Sequence, residues 1–145
     1  MPVDDLEEHL RPACEEVLET MFFTSVMDSA AEPLQRGDPQ IGSRLTFAGA
    51  PSGAFEVRTT EAAARSLAAG FLGEMVSDVS SERAGEVVCE LANMLCGSVL
   101  SRMDATAVFE LSRPELADEP VYDGSAVCLF QLPEGPLEVA ILLDS

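Results

Sequence analysis

The sequence has no lysine and a single histidine, His9. Its cationic residues are all arginine, eight of them against 26 acidic side chains, for a net charge of -18. Such a surface repels nucleic acid and anionic membranes, so neither is an expected partner. Solubility alone is the plainer reading of the acidity, with a charge-steered partner as the alternative. Four cysteines, Cys14, Cys89, Cys96 and Cys128, form no CxxC pair, and only His9 could join them around a metal. Cys89 and Cys96 are seven residues apart and share an apolar helical face, which reads as buried, reduced thiols. No uninterrupted apolar run approaches the roughly 18 residues of a membrane span. The N-terminal "MPVDDLEEHL" is acidic where an export signal is basic and then apolar, so a cytoplasmic protein is expected. A phosphate-binding GxxxxGK[ST] loop is also missing.

What is present suits one globular domain spanning residues 1–145. The chain is 47% hydrophobic and 23% charged, and long enough to bury a core. Leu6, Leu10, Cys14, Val17 and Met21 recur at helical spacing. Asp4 or Asp5 can cap that helix, and Pro12 either kinks it or marks the start of its main part. Phe22 to Val26 reads as a short strand, with Phe22 and Phe23 in the core or at a dimer interface. "EPLQRGDPQIG" reads as loop. Arg44–Ala50 and Gly53–Thr60 then form a hairpin about Pro51 and Gly53, with Phe55 and Val57 on one face. "TEAAARSLAAGFLG" is a helix capped by Thr60 and ending near Gly73. Ser80 or Ser81 caps a long helix that runs to about Met103. "ATAVFELSRPEL" reads as one strand ended by Pro114, with Tyr122 in the loop beyond it. "SAVCLFQL", a "PEG" turn and "PLEVAILLD" complete the chain as a strand pair, with Leu137, Val139, Ile141 and Leu143 alternating. His9 is expected in solvent. This order predicts an α+β fold, an α/β sandwich of helices on a mainly antiparallel sheet.

The long helix carries the chemistry. With Leu91 at zero and about 100° per residue, Val87, Val88, Met94, Leu95 and Ser98 fall within about 60° of it. Cys89, Ala92, Cys96, Leu100 and Met103 extend the apolar arc. Opposite lies a narrow stripe of Glu86, Glu90, Asn93, Gly97 and Ser101, within about 80° of arc by the same geometry. Arg83 and Arg102 sit near the two helix ends, neither squarely in the stripe, and read as ordinary surface residues, with a part in docking as the alternative. Gly97 costs a helix about 1 kcal/mol relative to alanine, and one use for it is close approach of another backbone. Asparagine is also a poor helix former. The residues alone leave a docking or catalytic stripe and a plain solvated face equally open.

Glu90 and Asn93 point the same way from a rigid element. An asparagine amide both donates and accepts, so it can orient a water without being charged. It is no general base near neutral pH, so the pair is not a carboxylate dyad. A glutamate can receive a cation from a partner. Such a pair fits hydrolysis in which water is positioned and the electrophile is activated elsewhere, as in phosphoryl transfer.

"GEVVCELANMLCGSVLSRM" resembles the ExxN helix of the CheC/CheX/FliY group of chemotaxis phosphatases, and most of all its CheX branch. Glu90, Asn93, Met94 and Gly97 match that motif one by one. "EEVLETMFF", "RLTFAGAPSGAFEVRTTEAAARSLAAGFLG" and "PLEVAILLD" are similar to the first helix, the hairpin with its following helix, and the closing strand of CheX-like domains. The resemblance implies a CheC/CheX-like fold and a homodimer. It implies a phosphorylated CheY-like response regulator as substrate, in chemotaxis or two-component signalling. Asn93 would orient the attacking water on the aspartyl phosphate, and Glu90 would pair with the regulator's active-site lysine. Glu86, Gly97 and Ser101 would line the docking surface. No cofactor is expected on this chain, and Mg2+ is expected on the regulator. The alternatives are a CheX-like module that binds a regulator without hydrolysis, or a dimerisation module with a merely solvated stripe. Burial or internal pairing of Glu90 and Asn93 would count against the first two of these three readings.

Overall fold

In the computed structural model, which describes residues 3–27, 34, 39–49, 51–104, 106–117 and 126–144, three helices cover one face of a six-stranded sheet. The elements are α1 (Val3–Met21), β1 (Gln40–Ala48), β2 (Gly53–Thr60), α2 (Glu61–Leu72), α3 (Ser81–Met103), β3 (Glu110–Leu111), β4 (Glu115–Leu116), β5 (Ala126–Leu132) and β6 (Gly135–Leu143). A short 3-10 turn at Val76–Asp78 joins α2 to α3. Sheet order is β3-β1-β2-β6-β5, with β4 also on β1, and every pairing is antiparallel. This is the expected α+β sandwich.

Alternation decides which residues meet the helices. Leu45 and Phe47 of β1, Phe55 and Val57 of β2, Leu137, Val139 and Ile141 of β6, and Cys128 and Phe130 of β5 are all buried in one core with the helices. Local signals set the helix ends. The Thr60 hydroxyl accepts from the Ala63 amide at 3.1 Å, and Gly73 closes α2 in the left-handed region at φ 69°. Of the two candidate caps for α3, Ser80 does the work, accepting from the Arg83 amide at 3.1 Å. By length and composition α3 could cross a membrane, yet it is the core helix here, flanked by α1 and α2 and backed by the sheet.

The structure departs from the sequence reading in several places. Helix α1 runs unbroken through Pro12, because Leu6 and Leu10 before it and Ala13, Cys14 and Leu18 after it are buried along one seam. That burial outweighs a proline penalty of about 3 kcal/mol on the exposed side. Met21, counted in the seam, is 44% exposed. Phe22 to Val26 is not a strand. The Thr24 amide reaches back to the Leu18 carbonyl, and Phe23 sits at φ 53°, so the helix closes with a Schellman-type turn instead. Among the described residues a single bridge, Met27 to Gln131, follows before β1. Phe22 stacks on Phe71 in the core and Phe23 is exposed. Strand β1 begins at Gln40, taking three residues from the expected loop, while residues 35–38 and Tyr122 lie outside the described residues. His9 is half-buried.

"ATAVFELSRPEL" makes two short strands, β3 and β4, with Pro114 between them. Phe47 pairs with Leu111 and Arg44 with Glu115, so three steps on β1 face four on its partner. The extra residue is a bulge at the proline, which has no amide to give the ladder.

The face of the sheet away from the helices holds a buried ion pair. Arg58 and Glu56 of β2 approach to 3.2 Å with side chains only 3% and 7% exposed, and Arg58 Nη2 also donates to the Ala117 carbonyl at 2.9 Å. Gly42 leaves room for the guanidinium, since a Cβ there would stand 2.7 Å from it. Glu138 lies opposite Arg58 in the register. Burial first, then the nearby Glu56, raise its carboxyl above the ordinary value, against the pull of Arg58. Folding therefore favours protonated Glu138. The stability this gives is fully present below the ordinary carboxylate range and is lost as pH rises through the raised value. Glu138→Gln is expected to raise the melting temperature at pH 7 and to change it little at pH 4. A gain that is equal at both pH values would contradict this.

Candidate functional site

Helix α3 is fixed at both ends. At its start, Arg65 of α2 donates to the Val79 carbonyl at 2.6 Å, to Ser81 Oγ at 2.8 Å and to Glu61 at 3.0 Å. Ser81 and Arg65 bond the Glu61 carboxylate and hold it below its usual range, with Ser81 the larger cause. At its far end, Arg102 pairs with Glu16 of α1 at 3.1 Å. Between the ends, Val87, Val88, Leu91, Ala92, Leu95, Cys96, Val99 and Leu100 are buried. The buried side chains thus decide which face of the helix points outward.

That face is the expected stripe. Glu86, Glu90, Asn93 and Ser101 are exposed and Gly97 is half-exposed. Glu90 and Asn93 are one turn apart, a rise of about 4.5 Å along the axis. Among the described residues neither side chain makes a hydrogen bond or ion pair. Glu86 is engaged, accepting from Arg83 at 2.9 Å. Here the sequence reading is corrected: Arg83 lies on the stripe. It stands seven residues before Glu90, a spacing that returns it to the same side within about 20°. The signal was available in the heptad step from Arg83 to Glu90.

Gly97 opens onto empty space, where an added Cβ would meet nothing within 4 Å. Among the described residues nothing requires a glycine there. Gly97→Ala is therefore expected to stabilise the fold by about 1 kcal/mol through helix propensity, read as a higher denaturant midpoint. A destabilised variant would show that the chain itself needs the glycine.

The thiols take no part in this surface chemistry. Cys14, Cys96 and Cys128 are buried. Burial pushes the Cys96 thiol up to about 12 and raises Cys14 as well. Cys89, half-buried beside the stripe, accepts from the Ser43 hydroxyl at 3.3 Å. Among the described residues no group of three or more His, Cys, Asp and Glu side chains could hold a metal ion. Open clefts lie elsewhere, about Thr60, Glu61 and Arg65 and about Gly42, Glu82 and Leu116. The stripe lies on the outward face of a helix. Its form suits insertion into a cavity of another macromolecule better than capture of a small molecule. Chemically it offers a neutral amide that can orient water and, one turn away, a carboxylate that can receive a cation.

A family profile described as "Chemotaxis phosphatase CheX" matches residues 41–126, which include the whole stripe. No curated protein matches the sequence. Several solved structures share the fold. The chemotaxis protein CheX of Vibrio vulnificus superposes with a TM-score of 0.73 at 15% identity, covering 97% of each chain. CheX of Desulfovibrio desulfuricans gives 0.71 at 17% identity over 97% of this chain and 99% of that one. The Borrelia burgdorferi protein gives 0.73 at 20% identity over 97% and 99%, and its structure is of a CheX–CheY–BeF3–Mg2+ complex.

Proposed function

This chain belongs to the CheX family of chemotaxis phosphatases, and on that premise we propose that it hydrolyses the aspartyl phosphate of a CheY-like response regulator. Asn93 enters the regulator's active site and holds a water in line with the phosphorus. The water oxygen bonds to phosphorus, the bond from phosphorus to the aspartyl oxygen breaks, and inorganic phosphate leaves. Glu90 pairs with the ammonium of the regulator's active-site lysine and so sets the position of Asn93. Mg2+ belongs to the regulator's side of the interface. The protein works as a homodimer in the cytoplasm.

One observation carries this reading: Glu90 and Asn93 project together from one packed helix, exposed and unengaged among the described residues. A complex of a CheX with a CheY, reported for the Borrelia protein, supports a receiver domain as the partner class. Gly97, whose cost to the helix is offset by nothing among the described residues, supports a close approach on the same face.

The test is phosphate release from a phosphorylated CheY-like regulator of the same organism, with wild type, Asn93→Ala and Glu90→Ala. The reading expects acceleration by wild type, loss of it in Asn93→Ala with binding retained, and a raised KM in Glu90→Ala. Binding by wild type without acceleration would make the chain a non-catalytic receiver-binding module. Neither binding nor acceleration across the organism's regulators would leave the stripe a solvated face.

A further inference from the structure

Resting on that reading of Glu90 and Asn93, we propose that Arg83 anchors the acidic rim of the partner's active site and that Glu86 holds it in place until docking. Arg83 is about 10.5 Å before Glu90 along the axis and on the same side. A guanidinium that far off does not reach the phosphoryl group that Asn93 serves. It reaches the surface around it.

Charge gives this residue its importance. The stripe advances Glu90 toward an anionic phosphoryl site, from a protein whose net charge is -18. Both terms oppose association. Arg83 is the cation on the stripe among the described residues, whereas Arg102 lies off it and is tied to Glu16. Arg83 and Glu86 are 51% and 58% exposed. An ion pair so open to water contributes little to folding, so the guanidinium can leave Glu86 for an acidic partner at small cost. Glu86 also fixes where the cation waits, one turn from Glu90. The class of contact is electrostatic docking, so it acts on KM and on the salt dependence, and not on the step Asn93 serves.

The experiment measures binding to a CheY-like receiver locked with beryllofluoride and Mg2+, at low and high salt, together with kcat and KM for phosphate release. Arg83→Glu is expected to weaken binding about tenfold at low salt and by much less at high salt, with kcat at saturation retained. Glu86→Gln is expected to act in the opposite direction and tighten binding, because it frees Arg83. That gain disappears in the Arg83→Ala background. Glu19→Gln, exposed on α1, reports what loss of one negative charge does by itself. A Glu86→Gln gain that survives Arg83→Ala, or matches Glu19→Gln, overturns the proposal. So does an Arg83→Glu protein that binds like wild type while wild type remains active. A wild type that binds no locked receiver overturns the reading of the stripe, and the role of Arg83 falls with it.

Discussion

Asn93→Ala is expected to lower the acceleration of phosphate loss by about 10²- to 10³-fold, the scale seen when one preorganised polar group is removed from a hydrolytic site. Binding of the activated regulator should change by no more than about twofold. The asymmetry follows from the location of the side chain. Asn93 is exposed and bonds nothing among the described residues, so its removal disturbs neither helix nor core. Its amide is neutral, so it adds little to the attraction between the proteins. In the proposed mechanism it supplies the placement of a water, which counts only at the reacting geometry. Glu90→Ala should divide the other way, raising KM more than it lowers kcat. Asn93→Asp sharpens the argument. It keeps the shape of the side chain but places an anion against the phosphoryl group, so it should fail about as badly as alanine. Steady-state phosphate release with a range of phosphoregulator concentrations separates kcat from KM for all three. A large KM effect with kcat intact in Asn93→Ala would recast the residue as a docking contact.

The legible parts of this molecule are those where one local period or one cap decides the outcome. Thr60, Gly73 and Ser80 set helix ends through bonds within three or four residues, and each stands where the sequence indicates. The stripe on α3 was readable because a helix buried around most of its girth leaves one thin polar line. Parts decided by distant contacts were not readable. Phe22 to Val26 has the composition of a strand, but the turn that ends α1 takes the Leu18 carbonyl first. The bulge at Pro114 depends on β1, a partner more than sixty residues earlier. Glu56 and Arg58 alternate with Phe55 and Val57, so the pattern assigns them to solvent, yet both are buried. Alternation specifies two faces; it does not say that only one of them is covered.

That second face carries the largest stability effect expected here. Arg58→Met should destabilise the fold by about 3–5 kcal/mol, the range for breaking a buried ion pair from one side. Removal of the guanidinium leaves the Glu56 carboxylate in place, buried, with Oε2 already lacking a hydrogen bond, and leaves the Ala117 carbonyl without its donor. Glu56→Leu combined with Arg58→Met removes both charges and should recover most of the loss, since an apolar pair of similar volume escapes the desolvation cost. Urea unfolding of the two single variants and the double one gives the coupling directly. The pair also bears on how the chain is put together. Gly42 admits the guanidinium from β1, Glu138 faces it from β6, and Ala117 meets it just beyond β4. Three separate segments thus converge on one cation, and a slip of β1 by one residue would take Gly42 out of that position. A double variant as stable as wild type that also keeps phosphatase activity would assign the pair to register alone. A double variant no better than Arg58→Met would mean that the cation itself, through its contacts beyond Glu56, holds this face of the sheet.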